Sequence, residues 1–166
     1  MLIRGIGLVL LSFIIQTTIA DDLALFGGRP DFLFIILAYM SLAYGSTTGM
    51  ILGFSAGLLQ DFYGPASNLG LNALCKTLVC FGIGLGKDGL QKEVFLIMLS
   101  VLAIGMLLHE ILYFLIYVDF DLPVFFEMMW GRSLPALVYT CILGAVLVSA
   151  LKFRRGSFDG KRLFPE

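Results

Sequence analysis

Four ionisable residues stand inside strongly apolar stretches of this sequence: Lys76, His109, Glu110 and Arg132. Charge at membrane depth is expensive, so each marks either a paired structural group or a polar site. His109 and Glu110 are neighbours, and successive side chains on a helix point about 100° apart. They are therefore not expected to share one face. Glu110 reads in two ways: paired to a buried donor or near the outer interface beside Tyr113 and Tyr117, or part of a proton-coupled polar site. Lys76 can snorkel outward or reach Asp61, and a Lys76–Asp61 pair is the expectation. Arg132 opens the last apolar run, within reach of Glu127 or Asp121.

No nucleophile–base set accompanies these groups. One histidine excludes any site that needs two. Cys75, Cys80 and Cys141 have no CxxC spacing and read as small buried hydrophobes. Gly82-x-Gly-x-Gly86 lacks the lysine–hydroxyl ending of a phosphate-binding loop. Neither enzymatic activity, metal nor cofactor is expected. No basic surface interleaved with aromatics points to nucleic acid.

The elements that position these residues follow from hydropathy. The 166 residues are 59% hydrophobic and 14% charged, with a mean hydropathy of +0.96. Soluble domains run near 45–50% apolar and about 25% charged, so the chain reads as an integral membrane protein. Apolar runs cover roughly 2–20, 31–44, 46–60, 69–86, 93–118 and 132–151. The first is read as an uncleaved helix, since no small-residue cleavage site follows it. The second and third are each short for a span of ~20 residues, and they are expected to form a hairpin turning near Gly45-Ser46-Thr47-Thr48. Residues 119–131 are expected to be an outer loop whose Phe125, Phe126 and Trp130 suit an interfacial belt.

Charge chooses six spans over five. With six, Arg4, Lys87, Lys92, Lys152, Arg154, Arg155, Lys161 and Arg162 fall on one side, eight of the eleven basic residues. Asp21, Asp22, Asp31, Asp61, Asp119, Asp121 and Glu127 fall on the other. The positive-inside rule then puts both termini in the cytoplasm. The expected architecture is an all-α six-helix transmembrane bundle over 1–151, followed by a basic cytoplasmic tail over 152–166.

One stretch stands out. Glycine recurs every fourth residue at Gly45, Gly49, Gly53 and Gly57, and Asp61 takes the next place. Residues i and i+4 share a helix face, so the stripe is a groove without side chains that ends in a carboxylate. In lipid such spacing lets a second helix approach closely. That helix is either another part of the chain or a partner.

These residues carry a resemblance. Pro30-Asp31, Gly45 and Gly49, then Gly53-Phe54-Ser55-Ala56-Gly57-Leu58-Leu59-Gln60-Asp61, then Gly70-Leu71-Asn72-Ala73-Leu74, form a pattern that resembles MreD. MreD is the small membrane subunit of the bacterial rod-shape, or elongation, machinery. The resemblance is specific over residues 30–75, and beyond them only hydrophobicity agrees. His109 and Glu110 have no counterpart in the pattern. It implies a non-enzymatic inner-membrane protein that binds the single-pass MreC. Through that complex it implies RodA, a class B penicillin-binding transpeptidase and MreB as partners, with a role in side-wall peptidoglycan synthesis and cell shape. The family in turn is similar in fold to the six-helix substrate-binding components of energy-coupling-factor vitamin transporters, which supplies an alternative function. The basic tail suits topology or anionic lipid.

Overall fold

The computed structural model describes residues 2–19, 24, 28–90 and 95–156. Every element longer than a bridge is helical among them: α1 (Leu2–Ile19), α2 (Phe32–Tyr44), α3 (Ser46–Tyr63), α4 (Leu71–Leu85), α5 (Phe95–Tyr117), α6 (Leu122–Met128) and α7 (Leu134–Gly156). Three stretches are long and apolar enough to cross a membrane alone: Ala66–Leu85, Phe95–Tyr117 and Leu122–Ser149. The apolar helices Gly5–Ile19 and Phe32–Tyr44 are shorter.

α2 is the axis of the molecule. Its 13 residues span about 20 Å at 1.5 Å per residue, well short of a bilayer core of ~30 Å. It is apolar on every side, the pattern of a wholly buried helix. Leu33 and Leu37 join Val9 and Phe13 of α1 and Leu52 and Ala56 of α3 in one core cluster. Phe34, Ile35 and Ala38 join Val79 of α4 and Leu102 and Met106 of α5 in a second. The short run is thus accommodated by burial inside the bundle. It turns back into α3 at a single residue, Gly45, whose φ of 95° and ψ of 177° suit only glycine.

α3 and α4 lie antiparallel with their backbones almost touching. A Cβ placed on Gly53 would stand 2.7 Å from the Lys76 carbonyl oxygen, and one on Gly57 would stand 2.5 Å from the Ala73 Cα. Gly49 meets the Cys80 carbonyl in the same way, and Gly84 answers from α4 against Ser46. The glycine stripe is therefore filled by the protein's own next helix. Gly70 serves a different purpose. Nothing lies near its missing Cβ, but its φ of 94° lets the chain enter α4 from a left-handed turn.

Only residues 119–121 of the expected 119–131 loop form a turn, and the rest is helical. Asp121 caps α6, with Pro123 in the first turn, and α6 runs through a π-helical turn (Met129–Ser133) straight into α7. An acidic cap followed by proline is a helix start, and that local chemistry carries the chain into α6. The residues that set the charge asymmetry (Arg4, Asp21, Asp22, Lys92 and the tail) have side chains outside the described residues.

The outside is apolar and the inside holds the polar groups. Leu11, Ile14, Phe81, Leu96, Ile104, Val138 and Val146 are among the exposed large hydrophobics, whereas Asp61, Lys76, His109, Ser133 and Thr140 are buried. This inversion suits lipid as the solvent.

Gly53→Leu drives a branched side chain into the α4 backbone and is expected to destabilise the bundle by at least about 3 kcal/mol. Gly82, with nothing within 4 Å of its Cβ position, is the control. Thermal unfolding in mild detergent should fall sharply for the first and hardly move for Gly82→Ala.

Candidate functional site

The polar residues gather at one end of the bundle, where α2 and α4 begin and α3 ends. Asp31 is the N-cap of α2, and its Oδ1 accepts from the Phe34 N–H at 2.7 Å. Its Oδ2 accepts from Lys76 Nζ at 2.8 Å. The Lys76 side chain is fully buried and that of Asp31 is 15% exposed. The ammonium also lies 5.3 Å from the Phe34 ring centroid, a cation–π distance. Lys76 thus pairs with Asp31 rather than with Asp61. Sequence separation misled here. Lys76 sits opposite Gly53 on the α3 side, and its long stem carries the ammonium across to the start of α2.

Asp61 is fully engaged elsewhere. Its carboxylate accepts from the backbone N–H of Gly70 (3.0 Å), Asn72 (3.1 Å) and Ala73 (3.0 Å), and from Asn72 Nδ2 (3.0 Å). These are the otherwise unpaired N–H groups of the first turn of α4, where a negative charge also meets the positive end of the helix dipole. A carboxylate one turn beyond Gly57 thus caps the very helix that the glycines admit.

The start of α2 is pinned from three directions. Gln16 of α1 donates to the Pro30 carbonyl at 3.0 Å and accepts from the Phe32 N–H at 2.8 Å. The Asp31 N–H donates to Thr140 Oγ1 of α7 at 3.0 Å. No sequence pattern singled out Gln16 or Thr140. Each is an ordinary polar residue in an apolar helix, and polarity at that depth was the available signal.

His109 and Glu110 come together despite being neighbours, with His109 Nδ1 3.5 Å from Glu110 Oε1. Both side chains reach along α5, and Glu110 is held at its other oxygen by Ser133 Oγ at 2.9 Å. His109 Nε2 is buried and has no hydrogen-bond partner among the described residues. Its ring stacks on Tyr113 at 6.1 Å, and Tyr113 stacks on Tyr117 at 5.9 Å. Arg132 is exposed in the π-turn, and no ion pair joins it to Asp121 or Glu127. Of the remaining motif positions, Pro30 is buried, Phe54 is half exposed on the outer face, and Leu58 and Leu71 are partly buried.

A cleft of about 510 Å³ opens over this cluster. Gln60, Tyr63 and Asn72 form one wall, His109, Glu110 and Tyr113 another, with Arg29 and Asp31 also at its lining. Among the described residues no group of three or more His, Cys, Asp or Glu could hold a metal.

Among the described residues, an all-helical build with an apolar exterior, buried charges and three helical stretches long enough to span defines an integral membrane protein. The family is equally definite. The model of the family described as rod shape-determining protein MreD matches residues 1–153, and the chain belongs to that family. It is accordingly a rod shape-determining membrane protein. No curated protein matches the chain, and no solved structure does.

Removing one partner of a buried ion pair costs about 3–5 kcal/mol, because the other charge is left stranded. Lys76→Met should therefore be strongly destabilising. The double change Asp31→Asn with Lys76→Met should recover much of the loss, which a double-mutant cycle of detergent melting curves would measure. Asp61→Asn loses the charge and also sets an amide donor against two of the N–H groups at the α4 cap, and should cost about 1–3 kcal/mol. Asp61→Ala, which strands several N–H groups, should cost more on the same assay.

Proposed function

We propose that this protein is the MreD subunit of the bacterial elongation complex, a non-enzymatic scaffold in the inner membrane. Membership of the family over residues 1–153 is the observation that carries the reading. The partner is a single-pass, periplasm-facing protein of the MreC type. RodA, a class B penicillin-binding transpeptidase and MreB are engaged through the complex, which directs side-wall peptidoglycan synthesis. The protein crosses the membrane six times. α1, α2 and α3 supply the first three crossings, α4 and α5 the next two, and the continuous α6–α7 rod the last. Both termini lie in the cytoplasm, and residues 152–166 form a basic tail there.

Burial of α2 supports counting it as a crossing, because a short helix shielded by its neighbours need not match the bilayer thickness. The partner helix must dock on a face other than the α3 glycine stripe, which α4 occupies.

Native mass spectrometry of tagged protein, purified in mild detergent from its own host, tests the reading. A stoichiometric single-pass partner is expected, together with wider, rounder cells on depletion of the protein. Co-purifying ATPase subunits with a vitamin-sized adduct would overturn it.

A further inference from the structure

The cleft has chemistry that scaffolding leaves unused. His109 is 4% exposed, lines the cleft, and its Nε2 has no partner among the described residues. A buried polar atom left unpaired is costly, and native structures rarely tolerate one without a ligand or ordered water. With Nδ1–H turned to the Glu110 carboxylate, Nε2 is an acceptor waiting for a donor.

The neighbouring groups repeat that demand. Glu110 accepts from Ser133 and faces His109, and its side chain remains 16% exposed with lone pairs to spare. Asn72 spends its Nδ2 on Asp61, which leaves its Oδ1. Gln60 lines the cleft with both ends of its amide unbonded among the described residues. Tyr113 is stacked between His109 and Tyr117, and the exposed Tyr63 at the lining offers an open ring.

Charge narrows the ligand class. Asp31 is offset by Lys76 behind it, and Glu110 is the other carboxylate at the lining. The site therefore offers acceptors and favours a ligand that donates hydrogen bonds. What remains is a row of acceptors and amides beside aromatic faces, in a volume within the roughly 300–1,000 Å³ of ligand pockets. A sugar ring matches it, with hydroxyls that donate around its rim and C–H faces that lie on aromatic rings.

We propose that this cleft binds a neutral saccharide. Glu110, Asn72 and Gln60 take its hydroxyls, one hydroxyl donates to His109 Nε2 after a small side-chain adjustment of the kind binding commonly brings, and Tyr63 flanks the ring. The sugar comes either as the headgroup of a membrane glycolipid or free in solution. The site stands independently of the elongation-complex reading, since it rests on the cleft alone.

The single histidine makes a clean reporter. The full chain, labelled with 15N in the His109 ring, is placed in phosphatidylcholine nanodiscs. Its Nε2 resonance is followed as methyl β-D-glucoside is added, or as monoglucosyl diacylglycerol replaces part of the lipid. A saturable displacement is expected. Response to the glycolipid alone identifies a headgroup site, and response to the glucoside identifies a free-sugar site. Glu110→Gln should weaken the apparent affinity about tenfold, as loss of a charged acceptor does. Gln60→Ala, which removes no bond within the described protein, should weaken it without touching the fold. A resonance that neither probe moves, or that glycerol moves equally, overturns the proposal and leaves Nε2 facing trapped water only. Unchanged affinity in both variants overturns it as well.

Discussion

The bundle depends on one close contact, the glycine face of α3 against α4. Gly49, Gly53 and Gly57 bring the two backbones so near that no other side chain fits between them. Between two apolar helices in lipid there is no hydrophobic gain, so association rests on packing and polar closure. Asp61 supplies the closure by accepting three backbone N–H groups at the start of α4. Approach and cap come from successive turns of one helix face. This contact also fixes the height of Lys76 and thereby brings its ammonium to Asp31.

A second constraint is the short, largely buried α2. A helix of about 20 Å cannot hold its ends at both interfaces of a ~30 Å core. Its first residues are therefore met by protein groups rather than by water. Gln16, Thr140, Lys76 and the Asp31 side chain together satisfy that turn. A buried pair such as Asp31–Lys76 adds little net stability over a well-packed apolar pair. What it supplies is position, because α2, α4 and α7 meet correctly only when these bonds close at once. The polar end left open to the cleft is a consequence of the same gathering, since four helix ends converge there with their donors and acceptors.

Some of this was legible in the residues. Composition placed the chain in a membrane, and the apolar runs located the helices to within a few residues. The four-residue glycine spacing ending at Asp61 marked a close-packing face, and the motif around it carried the family, which the match over residues 1–153 shows. The helix over 122–128 was legible too, in Asp121 and Pro123, but its proline and aromatics were read as an interfacial loop. Pairing was not legible. Asp61 ends the helix before α4 on the side that Lys76 can reach by snorkelling, yet the ammonium goes to Asp31. His109 and Glu110, assigned to different faces by helix angle, meet because their side chains are long enough to bend back toward one another.

The sequence by itself determined the solvent, the helices, the glycine face and the family, because each depends on local composition or on spacing within one helix. Only the tertiary structure decided which helix fills the glycine groove, which carboxylate takes Lys76, and that α2 lies at the centre. It alone brought Gln60, Asn72, His109 and Glu110 to one cleft. These are encounters between residues tens of positions apart. They follow from how the helices stack, which no periodicity within a single segment encodes.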